Sequence, residues 1–155
     1  MGTFTLIHTA LSLAGLFAGF MMAGGMLAGK RLDGSIALFL VTTIATNVTA
    51  FGFATDEILP SHIIAALSLV LLAVAVVARY VRGLAGAWRT TFVVTSLVAL
   101  YFNVFVLIVQ LFLKVPVMRD LAPTQSEPPF AITQGVALVA CIALGVRAVR
   151  MFRTA

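Results

Sequence analysis

The sequence predicts an all-α membrane protein, one bundle of five transmembrane helices forming a single domain over residues 1–155. Three observations carry that prediction. Apolar residues make up 62% of the chain and charged residues 10%, whereas a soluble domain is roughly half apolar and a quarter charged. Five long apolar runs each approach or exceed the roughly 20 helical residues that a bilayer core of about 30 Å requires. Basic residues sit in short clusters between those runs.

The first run, 4–29, has no basic residue ahead of it. It therefore reads as a retained helix rather than a cleaved signal. Lys30-Arg31-Leu32-Asp33-Gly34 ends it in a tight turn. The second run is 35–54. Asp56-Glu57-Ile58-Leu59-Pro60 separates it from the third, 61–80, with proline where a helix start tolerates one. Residues 79–89 form a basic hinge before the fourth run, 91–113. The connection 114–129 carries Pro116, Pro123, Pro128 and Pro129 and is not expected to be helical throughout. The fifth run is 130–149. In lipid a chain must satisfy its backbone polar groups internally, so each run is expected to be a helix.

Charge sets the expected direction. With the N-terminus outside, the inner segments hold Lys30, Arg31, Arg79, Arg82, Arg89, Arg147, Arg150 and Arg153 against one acid, Asp33. Asp56, Glu57, Asp120 and Glu127 fall outside with Lys114 and Arg119. Basic residues flank the cytoplasmic side of short-loop membrane proteins. The sequence thus reads N-out and C-in, with the lipid bilayer as its principal partner. The net charge of +5 follows from this pattern and points to no nucleic acid. The single cysteine, Cys141, lies in an apolar run and reads as a small packing residue.

No Asp, Glu or Lys interrupts the interior of any run. Ion-coupled pumps usually carry such a group, so this argues against one. Hydrolase, zinc-protease, redox Cys-x-x-Cys and phosphate-loop signatures are all absent. The balance favours a binding protein over an enzyme.

Gly15, Gly19 and Ala23 are spaced by four and form a thin face on the first helix. Such a face suits close approach by another span, a second copy in a homo-oligomer, or a larger membrane complex. Ser96, Asn103 and Gln110 share one face of the fourth helix. Thr43 and Asn47 line the second, Gln134 begins the fifth, and His8 and His62 open the first and third. His8, Asn47, His62, Asn103, Gln110 and Gln134 all fall in the outer half. They are expected to form either interhelical hydrogen bonds or an outward-facing polar crevice for a hydrophobic or amphipathic ligand or a membrane-protein partner. Asp56 and Glu57 lie nearby, and the outer loop is expected to cap the crevice with Gln125 and Glu127 pointing inward. As alternatives, His8 and His62 serve a redox-associated protein holding haem or quinone, with 12 Phe and 6 Met available to surround a ring. A metal-dependent membrane enzyme would instead join them to Asp56 or Glu57. No local metal-ligand spacing is present.

The size matches the tryptophan-rich sensory family, but the chain has a single tryptophan, Trp88, and lacks that family's Trp-Pro loop. Leu-Tyr-Phe-Asn-Val-Phe-Val at 100–106 and Ala-Pro-Thr-Gln-Ser-Glu-Pro-Pro-Phe at 122–130 resemble segments of small uncharacterised bacterial inner-membrane proteins. That resemblance implies a bacterial inner membrane and brings no activity, cofactor or site residue.

Overall fold

The computed structural model describes residues 2–53 and 60–153. Asp56 and Glu57 lie outside the described residues. The helices are α1 (Thr3–Leu27), α2 (Asp33–Ala50), α3 (Pro60–Val76), α4 (Ala87–Lys114), α5 (Pro116–Leu121) and α6 (Pro128–Met151). A single π turn, Val77–Val81, prolongs α3. There is no strand among the described residues. Five helices are long and apolar enough to cross a membrane: α1, α2, α3 with its π turn, α4 and α6. The observed ends differ from the sequence expectation by a few residues, because capping and turn geometry decide where a helix stops.

Two junctions show this. At the end of α1, Gly29 adopts φ +67°. Its N–H bonds Met26 O at 3.1 Å and the Lys30 N–H bonds Gly25 O at 2.8 Å. That is the paired closure of a Schellman motif, which needs a residue tolerant of the left-handed region at this point. After α3, the Arg82 N–H reaches Val77 O at 2.9 Å, closing the π turn. Gly83, Leu84 and Gly86 then take positive φ and turn the chain into α4. Leu84 is unusual there, since a side chain disfavours this region; its near-complete burial in the core compensates.

Successive long helices run antiparallel, and each packs on its neighbour. The long α4 is the hub, touched by α1, α3 and α6. The principal core lies towards the end where Lys30 and Arg89 sit. Met22 and Met26 of α1, Phe39 of α2, Leu72 of α3, Phe92 of α4 and Phe152 beyond α6 meet there. A smaller cluster of Ile108, Phe112 and Ala122, backed by Phe130, closes the opposite end. Elsewhere the surface is apolar, with Phe17, Val41, Val70, Val139 and Ile142 all exposed. Such a surface is suited to lipid contact.

The small-residue face of α1 is consumed inside the chain. Gly15, Gly19 and Ala23 are all buried. A Cβ on Gly15 would lie 3.0 Å from Thr43 Oγ1, and one on Gly19 would lie 2.5 Å from Leu100 Cδ1 and 3.0 Å from Phe39 Cδ2. The expected close approach therefore joins α1 to α2 and α4, and these three residues are covered before any second copy could use them.

Gly19→Leu is expected to destabilise the bundle by about 1–3 kcal/mol through overpacking. Gly24→Leu is expected to be tolerated, because a Cβ there meets nothing within 4 Å. Equilibrium unfolding of both variants in mixed micelles tests the contrast, and equal stability of the two would refute it.

Candidate functional site

The polar side chains of the helices fall into three groups. The first is a knot shared by α1, α2, α3 and α4. Asn47 Nδ2 donates to Thr43 O at 2.8 Å and to Ser68 Oγ at 3.2 Å. Asn103 Nδ2 donates to Thr43 Oγ1 at 3.4 Å. Thr43 and Ser68 are fully buried. Gly15 faces the knot with no side chain, which makes room for Thr43 Oγ1 and Asn103 Nδ2. The hydroxyls of Thr46 and Ser96 are also buried, without hydrogen-bond partners among the described residues. Interhelical amide bonds of this kind contribute about 0.6–2 kcal/mol each in a membrane.

The second group lies where α1 meets the end of α2. His8 Nδ1 is 2.8 Å from Thr49 Oγ1. Thr49 Oγ1 also lies 2.8 Å from Ala45 O and 3.0 Å from Thr46 O, so its one proton serves either the backbone or His8 according to the tautomer of the ring. The His8 ring stands edge-on to Phe53, with centroids 5.0 Å apart. His62 stacks on Phe51 at 5.5 Å. Each histidine thus rests against a phenylalanine at one end of the bundle. Among the described residues, no three His, Cys, Asp or Glu side chains come together as a metal site.

The third group fastens α6 and its preceding loop to α4. Gln134 Nε2 donates to Phe105 O at 3.2 Å, and Gln125 Nε2 donates to Val109 O at 3.0 Å. The two acceptors are one helical turn apart on α4. Gln125 thus reaches from the loop onto α4. Glu127 does not: its carboxylate turns onto its own loop and accepts from Thr124 Oγ1 at 2.9 Å and from the backbone N–H groups of Thr124 and Ser126. The reason is proximity, since those donors lie within three residues and need no inward reach. Gln110 is half-buried and makes no side-chain hydrogen bond among the described residues.

Sequence reasoning missed an apolar concavity. A groove of about 540 Å³ runs between α4 and α6, with Leu97 and Tyr101 on one wall and Cys141, Gly145 and Val149 on the other. Arg150 stands at one end. None of the six polar helix residues singled out in the sequence lines it. Cys141 and Gly145, one turn apart on α6, supply the small side chains that hollow this wall. Their spacing was visible in the sequence, but nothing there placed α4 opposite. The Cys141 thiol lies 3.6 Å from Leu97 O, across the groove floor. Only Gln134 and Ala148 of α6 are buried.

The fold and this groove define an all-α membrane-spanning bundle with a lipid-facing apolar cleft. No family model, curated protein or solved structure matches the chain.

Replacing Asn47 by Leu is expected to destabilise the bundle by about 0.6–2 kcal/mol, with a coupling to Ser68→Ala of about 0.6 kcal/mol in a double-mutant cycle. A coupling indistinguishable from zero would show that the Asn47–Ser68 bond contributes nothing. The loop makes a separate prediction. Lost hydration opposes the charge of Glu127, but the Thr124 hydroxyl and the surrounding backbone N–H groups hold its carboxyl below the usual range. A depressed folded-state value means that the loop is stabilised above the ordinary glutamate range and loses that contribution as pH falls through the lowered value. The amide shifts of Thr124 and Ser126 should titrate with a midpoint below the ordinary glutamate range, and Glu127→Gln should abolish the step.

Proposed function

We propose that the chain is a small multi-pass protein of a bacterial cytoplasmic membrane, N-terminus outside, that binds an amphipathic ligand with an apolar tail in the groove between α4 and α6. The observation that carries this reading is the groove itself. At about 540 Å³ it falls in the usual range of ligand pockets, roughly 300–1,000 Å³. Its walls are apolar along their length, with an arginine at one end. Asn47, Asn103, Thr43 and Ser68 bond one another or the backbone and fasten α2, α3 and α4 together.

Charge supports the orientation. Arg79 pairs with Asp33, and Arg89 bonds the carbonyls of Val149 and Phe152. These contacts bring the basic clusters that follow α1 and α3 and those that end α6 to the same end of the bundle. Basic residues gathered on one face mark the cytoplasmic side.

Photo-crosslinking with a phospholipid carrying a diazirine near its tail end tests the site. Adducts are expected to concentrate on α4 and α6 around Leu97 and Cys141, and Gly145→Leu should reduce them severalfold. A Cβ at Gly145 lies 4.0 Å from Leu97 Cδ1, so the larger side chain fills the groove rather than disrupting the helix pair. Adducts spread evenly over the exposed faces of α1, α3 and α6 would refute a dedicated site.

A further inference from the structure

We infer that the occupant of the groove is an anionic phospholipid, its tail lying along α6 and its phosphate held by Arg150. This rests on the groove being the ligand site. Three features single out that chemistry.

The first is length. The groove runs along α6 from Leu138 to Arg150, a rise of about 18 Å. One leaflet of a bilayer core is about 15 Å deep. The cleft therefore matches a single acyl chain entering from one leaflet. A partner helix crossing the whole membrane would need the other half of the α4–α6 face too, and there Gln134 bonds α4 and Phe130 packs edge-on against Phe112 at 5.3 Å.

The second is the commitment of charge at this end. Asp33, the one acid there in the sequence, is engaged by Arg31 and Arg79. Arg89 is spent on the carbonyls of Val149 and Phe152, capping the end of α6. Arg82 lies over the Trp88 ring, 5.2 Å from its centroid. Arg150 has neither an ion pair nor a hydrogen bond among the described residues, and it is the one basic residue that lines the groove. An amphiphile without a phosphate would leave this exposed guanidinium to water alone. A headgroup phosphate would meet it with charge-assisted hydrogen bonds, and an anionic phospholipid, unlike phosphatidylcholine, brings no quaternary ammonium to oppose the guanidinium.

The third is depth. Arg150 lies within two residues of the end of α6. A long basic side chain there extends its stem along apolar surface and delivers its charge at headgroup level.

Native mass spectrometry of the full chain tests this, using dioleoylphosphatidylglycerol and dioleoylphosphatidylcholine added to detergent-purified protein. The wild type should retain phosphatidylglycerol in preference to phosphatidylcholine. Arg150→Gln should reduce that preference about fivefold, while Arg153→Gln, outside the groove, should leave it unchanged. Gly145→Leu should lose both lipids. Equal retention of both lipids by the wild type, with both lost in Gly145→Leu, would overturn the anionic inference and leave the groove reading intact. Undiminished retention in Gly145→Leu would overturn the groove reading itself. An equal effect of Arg153→Gln and Arg150→Gln would assign the preference to general surface potential and overturn the inference. A dimer that Gly145→Leu disperses would do so as well, naming a second copy as the occupant.

Discussion

The close approach of α1 to α2 and α4 at Gly15 and Gly19 is the contact on which the rest of the bundle depends. Between helices in lipid there is no hydrophobic driving force, so association rests on packing and on interhelical hydrogen bonds. Both need short distances. Gly15 lets Thr43 and Asn103 meet beside α1, and Gly19 admits Leu100 and Phe39 to the same seam. Once α2 and α4 are drawn together around α1, Asn47 is positioned to reach Ser68 and lock α3.

The same logic explains why α6 is the least buried span. It has no glycine face pressed against the bundle, and Gly135 faces open space. Its attachments are local: Gln134 to α4 at one end, Arg89 to its final carbonyls at the other. Between these fasteners the small residues Cys141 and Gly145 leave the wall hollow, and the groove results. The cleft is thus the consequence of a helix pinned near both ends and loosely packed between.

The two ends of the bundle differ in how they treat polar groups. The Lys30 end carries surplus positive charge, and part of it builds the structure through Asp33 and the end of α6. The described residues of the His8 end rely on hydrogen bonds and aromatic contacts, with Phe4, His8 and Phe53 clustered beside the end of α2 and the Glu127 carboxylate bonded to its own loop. Charges at a membrane surface retain water and headgroups as partners. Groups deeper in the hydrocarbon must find partners within the chain.

Much of the fold was legible in the sequence because hydropathy, helix length and proline placement are local properties. The five spans, the break at Lys30–Gly34 and the non-helical stretch before α6 could be read in that way. So could the prospect that Asn47, Asn103 and Gln134 form interhelical bonds, since an amide in lipid needs a partner. Which partner it finds is not a local property. Thr43 for Asn103, the Phe105 carbonyl for Gln134, and the reach of Gln125 but not Glu127 onto α4 all follow from how the helices are rotated and paired. The Gly15 face was visible as a contact surface, but only the tertiary structure turned it inward. The groove was illegible for the same reason: it belongs to neither α4 nor α6 alone, but to the space that Gly145 and Cys141 leave when α4 lies opposite. The sequence by itself determined that the chain crosses a membrane, because burial in lipid is decided residue by residue. The tertiary structure decided where it opens a cleft, because a cleft is the gap between two surfaces that only packing brings together.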